Sequence, residues 1–323
     1  MINFENDLMD TTIALLSHYG VKYKEKDNLF NLLIKLHTFL DKYITPQKRQ
    51  VSYSNELKVK ISNLPQGIQE AISKMEQWTI EGENINAFQS RGLYGDGSRD
   101  YQNSLYGIVH LHLSAKKTDI TPVIHKNRLA KASEYLLFAR FVDDNAYFID
   151  VVQHPQTLSP KTPRVTDWTN SGLLKIIERN WPELLSDFKI SDLTILESTT
   201  ISPQLTDEDM AELTVNGASY FIQGESGVYI PQMGVASSGD NLKAVIMAQR
   251  EQRRANICQE HFVNHRGEIC DLFRTRAIDA GIPVTNFYDI HYDYIPALQN
   301  NFIVDRITGI VFDAFTGDLY TTA

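Results

Sequence analysis

Apolar residues in the first eighty positions recur mostly at steps of three and four. Leu8, Ile13, Leu15 and Leu16, then Leu29, Leu32, Leu33, Leu36 and Leu40, mark two helices within Asn3–Tyr43, separated by Gly20–Asn28. Thr45–Ser54 is polar, carries Pro46 and reads as a linker. A third helix is expected from Gln66, after Leu64-Pro65; it presents Ile68, Ile72 and Met75 and stops by Gly82. Gln89–Tyr101, with Gly92, Gly95 and Gly97, reads as a loop.

From Tyr106 the period becomes two. In Gly107–Ser114 the residues Ile108, His110 and His112 fall on one face of a strand, and Val109, Leu111 and Leu113 on the other. Tyr135–Val142 and Ala146–Gln153 form a hairpin about Asp143-Asp144-Asn145, closed by His154-Pro155 because proline cannot donate to a sheet ladder. Asp167–Asn180 reads as a helix with Asp167 as N-cap and Trp181-Pro182 as its stop. Thr206–Asp209 opens another helix, and Ala218–Ile222 and Gly227–Ile230 form a hairpin around Gly224. Asp240–Ala280 reads as a long helical stretch interrupted at Gly267, followed by two short strands around Thr308-Gly309 and a turn at Thr316-Gly317. No internal repeat is evident.

This order predicts an α+β fold: a helical N-terminal region (1–50), a central α+β domain (60–200) built on a twisted antiparallel sheet, and a mixed C-terminal region (205–323) with one long helix. At 323 residues and 42% hydrophobic, the chain can bury a substantial core. The formal net charge of −9 argues against a surface that attracts nucleic acid everywhere, but leaves room for local basic patches. No stretch approaches the roughly 20 apolar residues of a membrane helix, and Met1–Asp10 has acids and no basic residue, unlike a secretory leader. Two cysteines, Cys258 and Cys270, twelve positions apart, suit buried thiols and a cytoplasmic location better than a disulfide.

The chemistry-bearing candidates cluster in the centre. His110 and His112 stand side by side on one strand face, and His154 ends a strand expected in the same sheet. Three imidazoles could hold a metal with an open position, or exchange protons near neutral pH without one; they could equally be structural. The residues after His112 are Ala115, Lys116 and Lys117 rather than a carboxylate, which disfavours a cation and favours an anion. Lys116, Lys117, His125, Lys126, Arg128 and Lys131 make a basic loop, and Arg140 follows on the next strand. Metal-free RNA cleavage needs a base, an acid and cations on the phosphate, and this segment holds all three residue types. On that basis His110, His112 and His154 are the expected catalytic residues, with Lys116, Lys117, Lys126, Arg128, Lys131 and Arg140 on the phosphate and no metal or other cofactor. His261 and His265, one helical turn apart, resemble half of a zincin motif, but Phe262 stands where its glutamate would be, so they read as a surface pair. Phosphate-binding glycine loops and a serine-hydrolase elbow are absent from the sequence.

Two resemblances add to this. "GIVHLHLS", "LLFARFVDDNAYFIDVVQH" and "IIERNWPEL", in that order between about Gly82 and Ala248, resemble a family of uncharacterised bacterial proteins, implying a shared fold. The run "LLFARFVDDNAYFIDVVQH" is also similar to the C-terminal hairpin of RelE-like ribonuclease toxins. That resemblance implies phosphate contact by Arg140 and acid or base work by His154, although those toxins are small and basic and this chain is neither. Three functions are therefore carried forward. The first is a toxin-like or phage-defence endoribonuclease with RNA as substrate and an inhibitory or activating protein partner. The others are a non-catalytic protein-binding module and a three-histidine metallohydrolase.

Overall fold

The computed structural model describes residues 2–89, 91–94, 103, 106–113, 135–153, 171–189, 204–216, 218, 220–230, 236, 240–279, 281–282, 289–298, 300–316 and 319–320. They form an α+β fold in two units, one spanning residues 38–245 and the other joining 1–37 to 246–323.

The larger unit is organised by a four-stranded sheet of order β1-β4-β3-β2, with β1 (Gln50–Tyr53), β2 (Ile108–His112), β3 (Tyr135–Val142) and β4 (Asn145–Gln153). The β3–β4 hairpin forms as expected. Val142 pairs with Asn145, leaving Asp143-Asp144 as a two-residue turn, and Asp143 takes the positive φ of 47° that such turns require. The segment expected to be a linker contains β1, which pairs in parallel with β4 from Gln50↔Asn145 to Tyr53↔Phe148. Four residues carry too little periodicity to announce this strand, and its partner lies about ninety-five positions away. A bulge between Phe138 and Ala139 lets Ile149 and Asp150 both follow the face of Phe138.

One face of this sheet, carrying Val109, Leu111, Leu137, Ala139 and Phe148, packs on α3 (Asn55–Ile61) and α4 (Gln66–Glu81) through Leu57, Ala71, Ile72 and Met75. Each buried Val, Leu, Ile, Met or Phe among them contributes roughly 1.5–3 kcal/mol. Ser54 joins β1 to α3: its hydroxyl donates to Ile149 O at 2.6 Å and accepts from Leu57 N at 2.9 Å as the helix cap. Gly82 ends α4 with φ 78°, and a Cβ there would sit 2.7 Å from Lys48 N, so only glycine fits.

The other face, with Ile108, Phe138 and Ile149, packs on Leu173, Leu174 and Ile177 of α5 (Ser171–Asn180), and on Tyr220 and Tyr229. Asp167, the expected cap of this helix, lies outside the described residues. The N–H of Ser171 donates instead to Asp207 Oδ1 at 3.0 Å, from the first turn of α6 (Asp207–Val215). A 3₁₀ run, Pro182–Phe188, follows α5. Short strands β5 (Ile222–Gln223) and β6 (Val228–Tyr229) make the hairpin about Gly224.

The second unit contains α1 (Phe4–Tyr19), most of α2 (Leu29–Lys42) and of α7 (Leu242–Asn264), α8 (Arg266–Asp279) and an antiparallel meander, β7 (Ile290–Ile295), β8 (Asn300–Asp305), β9 (Ile310–Asp313) and β10 (Leu319–Tyr320). Helix α1 is bounded as its sequence predicts, by the Asn3 side chain accepting from Asn6 N and by Gly20 at φ 65°. It packs on β7, a strand not foreseen; Asp7 Oδ1 lies 2.9 Å from His291 Nδ1, and Asp7 Oδ2 accepts from Tyr292 N at 3.0 Å. The expected interruption at Gly267 falls two residues earlier, at His265, although the backbone bonds His265 N→His261 O and Ile269 N→His265 O continue across it. One small repeat, not evident in the sequence, emerges in the structure. Asp305 accepts from Ile307 N, Thr308 N and Thr308 Oγ1, and eight residues later Asp313 accepts from Phe315 N and Thr316 N. The same aspartate device thus builds successive turns of the meander. Both cysteines are free thiols, Cys258 buried and Cys270 half-buried.

Candidate functional site

The register places His110 opposite Phe138 and His112 opposite Leu136, so both imidazoles project from the face that α5 covers. Both are half-buried. Their ring centroids are 6.2 Å apart with the planes at 76°, and the His110 ring lies 6.4 Å from that of Phe138. Leu136 in turn pairs with Val152, which puts the C-terminal ends of β2 and β4 at the same edge of the sheet, separated by β3. Two strand spacings amount to about 10 Å between those backbones. His154 lies outside the described residues, as do Lys116, Lys117, His125, Lys126, Arg128 and Lys131.

Arg140 is described. It sits opposite Ile108 on β3, and its Nη1 donates to Leu184 O at 2.7 Å while its guanidinium carbon lies 5.3 Å from the centre of the Phe188 ring. Gly107, at φ 65°, brings the chain past this side chain; a Cβ there would meet Arg140 Nε at 3.6 Å. The residue that the sequence offers for phosphate contact therefore also ties β3 to the 3₁₀ run after α5.

Beside the histidine face the structure adds a carboxylate that sequence reasoning missed. Glu178 of α5 is 5% exposed and accepts from Glu225 N at 2.7 Å, Ser226 N at 2.5 Å, Ser226 Oγ at 2.7 Å and Tyr229 Oη at 2.8 Å. Burial pushes its carboxyl upward, but the Ser226 hydroxyl, the two N–H groups and the Tyr229 hydroxyl outweigh that and hold it below the usual range. The signal was available: Glu178 stands one turn from Leu174, on the apolar stripe of α5. Gly224 closes over it, since a Cβ there would lie 2.4 Å from the Tyr229 ring and 2.7 Å from Glu178.

Nearby, a cavity of about 300 Å³ is lined by Ser171 and Lys175 of α5, Leu205 and Met210 at α6, and Phe221 and Glu225 about the β5–β6 hairpin. Its wall is mixed: apolar side chains share it with Ser171, Gln204 and Gln223, one ammonium and one carboxylate. Among the described residues no three His, Cys, Asp or Glu side chains are grouped to hold a metal ion, and no helix is long and apolar enough to cross a membrane. Comparison with known proteins gives no matching family model, no matching curated protein and no matching solved structure.

Proposed function

We propose that this chain is a toxin-like or defence-associated endoribonuclease of the cytoplasm, acting without metal through histidine acid–base chemistry. The observation that supports it is the juxtaposition of His110 and His112 on one face, at the end of β2, with the basic run Lys116–Lys131 next in sequence. In this reading His112 and His154 divide the proton transfers, one taking the 2′-hydroxyl proton and the other protonating the leaving oxygen. His110 orients its neighbour, and Lys116, Lys117, Lys126, Arg128, Lys131 and Arg140 neutralise phosphate. The test is cleavage of RNA by tag-free protein in the presence of EDTA. His112→Ala and His154→Ala should each abolish cleavage while the melting temperature stays within a few degrees. A wild-type protein that neither cleaves RNA nor slows growth on expression would sink the proposal.

A second reading, a protein-binding module without catalysis, is favoured by Arg140, whose guanidinium already serves Leu184 and Phe188. Under it, alanine at His110 or His112 lowers stability by about 1–3 kcal/mol through lost interior hydrogen bonding, and no RNA is cut.

A further inference from the structure

A different pair of histidines is arranged as a chelate. His261, in the last turn of α7, and His265, at the junction with α8, are both exposed, and their ring centroids lie 4.6 Å apart with the planes tilted by 37°. The bond His265 N→His261 O, 3.0 Å, holds the two residues one helical turn apart although the regular helix is interrupted there. An ion bound by two ring nitrogens at 2.0–2.1 Å with a near-tetrahedral angle sets the ring centroids about 5 Å apart. The α7–α8 pair is close to that spacing, whereas His110 and His112, at 6.2 Å, are well beyond it.

A second observation concerns the tautomer. Glu268 Oε2 lies 3.2 Å from His265 Nδ1, three residues on along the same face. A carboxylate in that position draws the ring proton to Nδ1 and leaves the Nε2 lone pair available to a metal, which is how metal-ligating histidines are ordinarily supported. With side-chain exposures of 45% for His265 and 83% for Glu268, an ion could arrive without the protein first opening. From this geometry we infer that His261 and His265 chelate one divalent transition-metal ion of the zinc, nickel or copper class. Glu268 acts as the positioning residue, and water fills the remaining coordination positions. The pair is separate in sequence and in chemistry from the proposed ribonuclease site and does not depend on it.

The experiment is a competition between tag-free, metal-stripped protein and a chromophoric zinc indicator, repeated with His261→Ala, His265→Ala, the double variant and Glu268→Gln. Wild type should withdraw zinc from the indicator. Each single histidine variant should bind at least about tenfold more weakly, and Glu268→Gln up to about tenfold more weakly. Affinity should fall on acidification, because the ligands must be deprotonated. Electron paramagnetic resonance of the copper-loaded protein supplies an independent readout, with hyperfine structure from two imidazole nitrogens in wild type and from fewer in the single variants. Zinc uptake by the double variant equal to that of wild type would overturn the inference, as would a wild-type protein that leaves the indicator fully loaded. Because all three side chains are at the surface, circular dichroism melts of the variants should superimpose on wild type, so weakened binding reads as loss of ligands rather than of fold.

Discussion

Arg140 stands over Phe188, its guanidinium carbon 5.3 Å from the ring centre, so a cation from the central sheet is seated on the aromatic residue that ends the 3₁₀ run after α5. That contact, with the bond to Leu184 O, makes Arg140 a structural residue whatever else it does. Arg140→Ala should lower stability by roughly 1–3 kcal/mol, measured by urea denaturation. Arg140→Lys should recover only part of this, because an ammonium cannot lie flat on a ring while donating to a fixed carbonyl. A lysine variant as stable as wild type would contradict the role.

The Glu178 site should show itself in acid. Its carboxyl is held below the ordinary 4.5 in the folded protein, so the stabilisation it provides is complete above that value and drains away as pH falls through the lower folded value. Glu178→Gln keeps the shape but points an amide at donors that need an acceptor, and should lose about 1–3 kcal/mol at neutral pH. The gap between variant and wild type should narrow as the buffer is taken to about pH 4 and below. A gap that stays constant with pH would refute the assignment.

Glu251 should behave in the opposite sense. It is fully buried on α7; burial raises its carboxyl above the usual range, outweighing the Asn301 bond and the nearby Arg254 and Arg250. A raised folded value means that ionising Glu251 costs stability as pH climbs past 4.5. Glu251→Gln should therefore stay within about 1 kcal/mol of wild type at neutral pH, with the comparison shifting in its favour as pH rises. Glu251→Ala, which removes the acceptor of the buried Asn301 Nδ2, should cost about 2–3 kcal/mol. Thermal melts across a pH series would decide between these patterns.

The two thiols should differ in reactivity. Burial pushes Cys258 up to about 11, and it is 3% exposed, whereas Cys270 is half-buried with a smaller rise. Iodoacetamide at mildly alkaline pH should label Cys270 in the native protein and Cys258 only in denaturant, since the thiolate is the nucleophile. Peptide mass spectrometry reads the result; equal labelling of the native protein would be the contrary outcome.

Much of the fold was legible because its signals are local. Asn3, Gly20 and Gly82 mark helix ends within a few residues of the periodic stretch they bound, and Asp143-Asp144 needs only its own hairpin. Strand β1 was not legible, since it is four residues long and its partner lies far away in sequence, whereas β7 pairs with its chain neighbour β8 and carries a local alternation, with Ile290, Tyr292 and Tyr294 buried, that went unrecognised. The strand parity that placed His110 and His112 on one face holds in the register. Buried carboxylates escaped notice for another reason. Ala244, Ala248, Glu251, Ala255, Cys258 and Phe262 follow one another at helical steps and are all buried, so Glu251 lies on an apolar stripe where a charged residue is ordinarily read as facing water. Asn301 on β8, fifty residues away, together with Arg250 and Arg254 of its own helix, explains how it is tolerated there.

The contact between Asp7 and His291 spans 284 positions. During synthesis at about 5–20 residues per second, α1 emerges roughly 15–60 s before the strand it packs against. Through that interval Phe4 and Leu8, wholly buried in the finished protein, have no β7 to cover them. The larger unit, by contrast, has its whole sequence available by residue 245 and can close while the chain is still being made. Helix α1 is thus made before the larger unit, yet meets its strand only after that unit's whole sequence has been synthesised.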